Sequence, residues 1–156
     1  MPVKSFQGER AQTKRVTPSK LIVSDIMTRR LILFNPHQSI HEVMKTFIKY
    51  RISGGPVVSK SGELVGIISE ADCMKQISES RYFNMPILDK SVGHFMTQKV
   101  DTIESSMNVF DAAAKFSKSS RRRYPVVEKG TLVGQVSRKD IVVAALNMKS
   151  QTWNSK

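Results

Sequence analysis

The sequence predicts an α+β (α/β-like) fold in which two βαββα repeats pack sheet to sheet about a pseudo-twofold axis. Three observations favour it. The chain has 156 residues, of which 40% are hydrophobic, and this is enough to bury the core of one or two small domains. Strand-like and helix-like patterns follow one another in the same order twice. The two halves of the chain also align with one another in a single register.

The internal repeat organises the whole chain. Val23 aligns with Val92, an offset of 69 residues, and the register persists to the end of each repeat after a one-residue deletion in a turn. The aligned segments are Val23–Thr28 with Val92–Thr97, Phe47 with Phe116, Pro56–Val58 with Pro125–Val127, Leu64–Gly66 with Leu132–Gly134, Ser69 with Ser137, and Asp72 with Asp140. Two copies of one fold unit are therefore expected.

A strand followed by a helix opens each repeat. The apolar run Leu31–Phe34 predicts a strand, and Lys99–Ile103 is its counterpart. The capping box Ser39-x-x-Glu42 then predicts a helix start, followed by apolar residues at helical spacing. Asn108-x-x-Asp111 repeats this signal in the second half.

A hairpin and a second helix complete each repeat. The paired apolar segments predict hairpins from Pro56–Ser59 with Leu64–Ile68 and from Tyr124–Glu128 with Leu132–Val136. The last helix is expected to start at each Ser-x-x-Asp. Helices on one face of a small sheet leave its other face uncovered, so the two repeats are expected to share a core.

These elements divide the chain into five segments. The predicted boundaries are residues 1–20 for a basic tail, 21–80 for repeat 1, 81–90 for a linker, 91–148 for repeat 2, and 149–156 for a C-terminal tail.

Positive charge is unevenly distributed along the chain. The formal net charge is +12, with +4 in residues 1–20 and +4 in 91–148 but only +1 in 21–80. An excess of this kind favours anionic partners, so direct nucleic-acid binding is one alternative function. No helix-turn-helix or aromatic RNA-binding motif accompanies the charge, and nucleic acid is therefore the less favoured partner.

Membrane and secretory classes are not expected. No apolar run approaches the roughly 18 residues of a membrane span, and residues 1–20 lack the apolar region of a secretory signal. The expected location is cytoplasmic. Cys73 is the single cysteine, so an internal disulfide or a cysteine metal site is excluded, and a buried thiol is predicted.

Catalytic constellations are also missing from the sequence. The chain has three histidines, and Pro36 with the Ser39 cap places His37 ahead of the helix that carries His41. No Gly-x-Ser-x-Gly or P-loop motif occurs. We therefore expect a protein that is not an enzyme, has no metal site and needs no cofactor.

The Ser-x-x-Asp sequence at the start of each final helix suits a nucleotide. Helix N-termini favour phosphate, and Asp72 or Asp140 can accept hydrogen bonds from a ribose diol. The alternative is a plain capping box without ligand contact. Aliphatic residues around Ile32, Ile52 and Val126 offer a slot for a purine. Tyr124 either stacks on the base or packs in the core.

The residues that carry the repeat resemble the cystathionine-β-synthase (CBS) domain, whose tandem pair is called a Bateman module. The resemblance spans residues 21–148. It is carried by Asp25-Ile-Met-Thr28 and His94-Phe-Met-Thr97, by the two Pro-Val-Val strands, and by Gly66-Ile-Ile-Ser-Glu-Ala-Asp72 and Gly134-Gln-Val-Ser-Arg-Lys-Asp140. The resemblance implies a non-catalytic regulatory module that binds adenine nucleotides (AMP, ADP or ATP-like) between the repeats.

The resemblance also implies where ligands bind. Each cleft takes its Ser and Asp from one repeat and the opening threonine from the other. The residues assigned to the clefts are Asp140, Ser137, Arg122, Arg123, Thr28 and Gly54, and, for the other cleft, Asp72, Ser69 and Thr97. The Asp140 cleft is expected to bind phosphate better, because Ser119-Ser-Arg-Arg-Arg-Tyr124 adds cations that the first repeat lacks. A solvated loop end or a protein contact is the alternative role for these arginines.

The expected partners are an adenosine-containing small molecule, a second copy of the chain in a homodimer, and an unknown protein effector. A ligand-free dimer that binds a protein through basic and apolar side chains is the remaining alternative.

Overall fold

Six helices and five strands form within residues 21–83 and 90–154, which are the residues described by the computed structural model. In chain order they are α1 (Val23–Ile26), α2 (Ile40–Tyr50), β1 (Gly54–Val58), β2 (Leu64–Ser69), α3 (Glu70–Phe83), α4 (Val92–Phe95), β3 (Ile103–Glu104), α5 (Val109–Ser117), β4 (Arg123–Glu128), β5 (Thr131–Ser137) and α6 (Arg138–Asn154). The mixed helix and strand content confirms the α+β class.

The predicted hairpins are confirmed in both repeats. β1 pairs antiparallel with β2, and β4 pairs antiparallel with β5. Both hairpins turn at a glycine with positive φ, Gly62 and Gly130, where a glycine avoids the steric cost of the left-handed region. Both also carry a register shift between the two valines of Pro-Val-Val, so the repeats share even their irregularities.

The first strand of each repeat is shorter than predicted. In the predicted strand Leu31–Phe34, only Phe34 forms a bridge, to Val57. In the second repeat, β3 starts at Ile103 rather than at Lys99 and pairs parallel with β4. The rest of the apolar run does not form a strand, because Leu31 and Ile32 line a cavity between the repeats instead of pairing with a neighbouring strand.

Side-chain caps start the two amphipathic helices, as expected. The Ser39 Oγ atom accepts a hydrogen bond from the Glu42 amide at 3.1 Å. At α5, the Asn108 Oδ1 atom accepts from the Phe110 amide at 2.7 Å, one residue earlier than a capping box requires. The faces that these helices bury are Ile40, Val43 and Phe47 in α2 and Val109, Ala112 and Phe116 in α5.

Both final helices are longer than the predicted segment boundaries. α3 continues to Phe83, into the predicted linker 81–90, and α6 continues to Asn154, through most of the predicted tail 149–156. No proline or glycine interrupts either helix, so nothing in the local sequence stops them at those boundaries. The predicted basic tail 1–20 and residues 84–89 of the linker lie outside the described residues.

A pseudo-twofold axis relates the two repeats, as reciprocal backbone bridges show. Thr28 bridges to Gln135 while its equivalent Thr97 bridges to Ile67, the equivalent of Gln135. Glu63 bridges to Thr131, its own equivalent, which places this bridge on the axis. The predicted twofold arrangement is confirmed, and the two hairpins adjoin at their turns.

Each repeat is completed by the opening segment of the other. One hydrophobic cluster joins Val23 and Met27 of repeat 1 to Tyr124 and Val136 of repeat 2. The other joins Val92 and neighbouring apolar residues of repeat 2 to the core of repeat 1. The described residues therefore bury two clusters rather than the one shared core that the sequence argument expected, because the exchanged segments cover surfaces that the sheets leave open.

Candidate functional site

A cavity of about 280 Å³ lies between the repeats, beside the start of α6. Repeat 1 contributes residues around α1 and β1, and repeat 2 contributes the ends of β4 and β5 and the first turn of α6. Of the predicted site residues, the cavity brings together Thr28, Gly54, Arg123, Ser137 and Asp140. Thr28 and Gly54 come from repeat 1 and the other three from repeat 2, so the packing of the two repeats is what assembles them.

Thr28 is fixed at the cavity by the backbone. Its amide donates to the Gln135 carbonyl at 2.8 Å, and the Gln135 amide donates to the Thr28 carbonyl at 2.9 Å. The glycine that precedes Gln135 allows this close approach, because a Cβ on Gly134 would lie 2.6 Å from the Met27 Sδ atom and 2.9 Å from the Thr28 oxygen.

Ser137 and Asp140 form a capping box at the start of α6. The Ser137 amide donates to Asp140 Oδ2 at 2.8 Å, and the Asp140 amide donates to Ser137 Oγ at 3.1 Å. The Arg138 amide donates to the Arg122 carbonyl at 2.9 Å. These three amides already have acceptors within the protein, so the prediction that they are free to receive phosphate is wrong.

The second oxygen of Asp140 is available to a ligand. Asp140 is half-buried, and its Oδ1 atom accepts no hydrogen bond from the described parts of the chain. A carboxylate oxygen has two lone pairs and can accept from two hydroxyl groups. The capping and ligand-binding interpretations of this residue are therefore compatible, because one oxygen serves each.

Two arginines give the cavity an excess of positive charge. Arg123 lines it as predicted, and Arg30 lines it as well although the sequence argument missed it. Asp140 is the one carboxylate among the lining residues. Arg122 is not among them; its carbonyl is bonded to α6, and adjacent residues at a strand start direct their side chains to opposite sides. The cavity suits an anionic ligand.

An aliphatic surface faces these polar groups. Ile32 and Ile52 line the cavity, as the predicted purine slot requires. Val126, the third residue predicted there, is instead fully buried in the cluster of repeat 2. Tyr124 is 0% exposed and packs edge to face on Phe116 with ring centroids 4.9 Å apart. Its core role is thereby confirmed, and stacking on a ligand is excluded.

The cleft at Asp72 differs from the one at Asp140. Asp72 is only 5% exposed, and its Oδ2 atom accepts from both the Ser69 amide at 2.9 Å and the Ser69 hydroxyl at 3.0 Å. The repeat register places Asp101 where the other cleft has Ile32, and Arg121 where it has Ile52. At these two positions, charged side chains thus replace aliphatic ones.

Thr97 is placed symmetrically to Thr28 at this second cleft. Its amide and carbonyl exchange hydrogen bonds with the backbone of Ile67 at 2.8 and 3.0 Å. The backbone frame is therefore shared by the two clefts, and side chains alone make them different.

Cys73 carries no reactive thiol. It is buried, as predicted, and its pKa is raised to about 11 by desolvation, with smaller contributions from the charges of Asp72 and Glu70. At neutral pH the thiolate, which is the nucleophilic form, is scarcely populated.

Metal and membrane roles find no support in the described residues. No group of three or more His, Cys, Asp and Glu side chains able to hold a metal ion occurs within 21–83 and 90–154. In the same part of the chain, no helix has both the length and the apolar content that a membrane crossing requires.

A larger groove of about 620 Å³ lies between α2 and α3, beside the cavity of about 280 Å³. Its apolar lining includes Met44, Phe47, Ile48 and Met74. The helical pattern predicted the buried face of α2 but not this groove, because the groove depends on the distance between the two helices.

Comparison with known proteins identifies the repeats. A family model described as the CBS domain matches residues 23–79 and again 92–147. The uncharacterized protein MJ1426 of Methanocaldococcus jannaschii is 31% identical over 155 residues, spanning 81% of this chain and 92% of that protein.

Two solved structures share the fold and hold small molecules. The CBS-pair protein CBSX2 of Arabidopsis thaliana, in complex with AMP, is 31% identical with a TM-score of 0.72, covering 82% of this chain and 98% of its own. The CBS domain pair of the protein MJ0100, in complex with 5′-methylthioadenosine and S-adenosyl-L-methionine, is 31% identical with a TM-score of 0.63, covering 81% of this chain and 97% of its own.

Proposed function

The chain belongs to the CBS domain family and carries two copies of the domain, and on this premise we propose that it is a regulatory module that binds an adenine nucleotide between the repeats. One observation carries the proposal: a single cavity combines Asp140, an aliphatic pair and two arginines. The ligands in the CBSX2 and MJ0100 structures, AMP, methylthioadenosine and S-adenosylmethionine, all contain adenosine.

Each part of the ligand has a proposed partner in the Asp140 cavity. Asp140 Oδ1 accepts hydrogen bonds from the ribose hydroxyls, while Ser137 and Thr28 border the sugar. Ile32 and Ile52 contact the flat faces of the base. Arg30 and Arg123 bind the phosphates, and their positive charge favours AMP, ADP or ATP over the uncharged or cationic adenosine derivatives.

We propose one nucleotide per chain, bound at the Asp140 cavity. The earlier assignment of Asp72, Ser69 and Thr97 to a second nucleotide site has weaker support. The Ser69 hydroxyl is committed to Asp72, and Asp101, which replaces Ile32 there, is paired with Lys115 at 2.8 Å. Because charged residues stand at the positions of Ile32 and Ile52, this cleft offers the base less aliphatic surface at those two positions.

Nucleotide binding is expected to stabilise the protein. A ligand at 100 times its dissociation constant adds about 2.7 kcal/mol to the free energy of unfolding, which raises the melting temperature of a domain this size by about 5–10 °C. Thermal-shift measurements with AMP, ADP and ATP, followed by calorimetric titration, check this, and the titration should give close to one site per chain.

Parallel titrations discriminate the competing functions. Adenosine, S-adenosylmethionine and NAD define the ligand class, and a short DNA duplex tests the nucleic-acid alternative. A melting temperature unmoved by every adenosine compound, but raised by the duplex in a steeply salt-dependent way, contradicts the proposal. Two sites of equal affinity would contradict the assignment of a single cavity.

We also propose that two copies associate through the helices. Ile48 and Leu146 are 81% and 61% exposed, and further apolar side chains on α3, α5 and α6 are exposed with them. Contiguous exposed apolar surface typically marks an interaction site. Light scattering should give twice the monomer mass, and Ile48→Glu with Leu146→Glu should halve it. A monomer mass at all concentrations would contradict the dimer.

The proposed role is non-catalytic and cytoplasmic, with a protein effector that responds to the bound state. A ligand that contacts both repeats shifts their relative arrangement only if it binds one arrangement more tightly. Proteins that co-purify with the chain are compared in the presence and absence of AMP. A protein that binds in only one of the two conditions is the effector.

A further inference from the structure

A cluster of exposed cations surrounds the start of α6, outside the Asp140 cavity. The Arg138 amide donates to the Arg122 carbonyl at 2.9 Å, and the Arg138 guanidinium donates to the Ser119 carbonyl at 3.4 Å. These bonds hold the segment 118–122, which joins α5 to β4, against the first turn of α6. We call the exposed cations of these two elements the basic patch, which consists of Lys118, Arg121, Arg122, Arg138 and Lys139.

The charge of the basic patch is uncompensated and has no counterpart in repeat 1. None of its five side chains forms an ion pair with an acidic side chain within residues 21–83 and 90–154. The pseudo-equivalent positions of repeat 1 hold Lys49, Ile52, Ser53, Glu70 and Ala71. The formal charges of that set cancel, yet repeat 1 forms the same helices and strands. The fold therefore does not require cations at these positions, and their excess charge favours an anionic partner.

The composition of the basic patch favours phosphate groups as its partner. Three of its five side chains are arginines, whose planar guanidinium groups pair with phosphate oxygens through two hydrogen bonds. The segment 118–122 contains only serine, lysine and arginine, and Tyr124, which follows it, is buried. Protein interfaces are built around an apolar core, whereas interfaces with DNA are polar and strongly positive. Single strands stack their bases on exposed aromatic rings, which this segment does not offer.

We propose that the basic patch binds the phosphate backbone of a nucleic-acid duplex without reading its sequence. Phosphate contacts fix the position of a protein on a duplex and carry no sequence information. Such binding therefore needs no helix-turn-helix or RNA-binding motif, whose absence made nucleic acid the less favoured partner from the sequence. The patch shares no residue with the Asp140 cavity, so duplex binding is a second function that does not depend on the nucleotide.

The experiment measures fluorescence anisotropy of a labelled DNA duplex of about two helical turns, titrated with the full chain at salt concentrations from about 50 to 200 mM. The variant Lys118→Gln with Arg122→Gln removes two cations of the patch. Lys49→Gln with Lys60→Gln is the matched control, because it removes the same charge from exposed lysines of repeat 1 and leaves the rest of the chain unchanged. Calorimetric titration with AMP shows that each variant is folded.

The affinity of the wild type for the duplex should fall steeply with salt. About four phosphate contacts give a slope near −4 when the logarithm of the association constant is plotted against the logarithm of salt concentration. The patch variant should reduce the magnitude of this slope by about 2 and weaken binding at least about tenfold at the lowest salt. The control variant should keep the slope of the wild type, and both variants should bind AMP as the wild type does.

Three results would overturn the inference: no binding of the duplex at the lowest salt, an equal loss of affinity in the patch variant and the control, or a competitor as effective as unlabelled duplex. The competitors are a polyglutamate peptide, which stands for an acidic protein segment, and phosphatidylglycerol vesicles, which stand for a membrane surface. A failure to bind AMP, ADP and ATP would overturn the proposed function alone, because the anisotropy titration measures the patch without a nucleotide.

Discussion

Replacing Asp140 with alanine is expected to lower the affinity for AMP roughly a hundredfold, or by about 3 kcal/mol. The free Oδ1 atom is lost, and two ribose hydroxyls then lack a charged acceptor in the cavity between the repeats. Calorimetric titration of wild type and Asp140→Ala with AMP measures the difference. Adenosine should lose as much affinity as AMP does, because the ribose is common to both ligands.

Asp72→Ala is the matched control for this change. Both aspartates receive the amide of the serine three residues earlier, so either substitution removes a helix cap at a cost of about 1 kcal/mol of stability. If Asp140 acts on the ligand, Asp72→Ala should be destabilised yet bind AMP like the wild type. Equal loss of affinity in both variants would show that the effect of Asp140 is structural.

Gly134→Val is expected to lower the free energy of unfolding by about 3 kcal/mol, equivalent to a fall of about 6–12 °C in melting temperature. The new Cβ would meet the Met27 Sδ atom at 2.6 Å and the Thr28 carbonyl oxygen at 2.9 Å. The thioether can move, but the carbonyl is held by the paired backbone hydrogen bonds between Thr28 and Gln135. Thermal denaturation measures the loss.

Substitutions at two other glycines test whether the contacts of the new Cβ cause the loss of stability. Gly66→Val should cost as much stability, because its Cβ meets Met96 and Thr97 in the same way. Gly66 lies beside the Asp72 cleft, so this variant should still bind AMP when it is folded. Gly130→Ala meets nothing within 4 Å and is strained only by its φ of 81°, so about 1 kcal/mol is expected. A mild effect of Gly134→Val would show that the repeats tolerate separation there.

Local signals were sufficient to predict most of the fold. The Ser39 cap, the hairpin turns and the two Ser-x-x-Asp helix starts each depend on a few adjacent residues, and the structure confirms them. The alignment of the two repeats in one register then predicted their pseudo-twofold relation. The first strands were overestimated because an apolar run does not reveal whether it pairs with a strand or lines a cavity.

The candidate site was predictable where it coincides with the repeated motifs and unpredictable elsewhere. Ser137 and Asp140 belong to such a motif, whereas Arg30 and Gln135 reach the cavity only through the bridge between Thr28 and Gln135. The choice between Arg122 and Arg123 depends on the direction in which each side chain leaves the strand start. These are tertiary properties that sequence spacing alone does not contain.

The exchange of opening segments also constrains the order in which the chain can fold. Val92 belongs to the cluster that closes repeat 1, so during synthesis that repeat stays incomplete until the start of repeat 2 has left the ribosome. Met27 is synthesised early, but it is buried against the sheet of repeat 2, which is synthesised later. Such long-range dependence favours slow, concerted folding, and it makes the two repeats one cooperative unit in which neither half matures first.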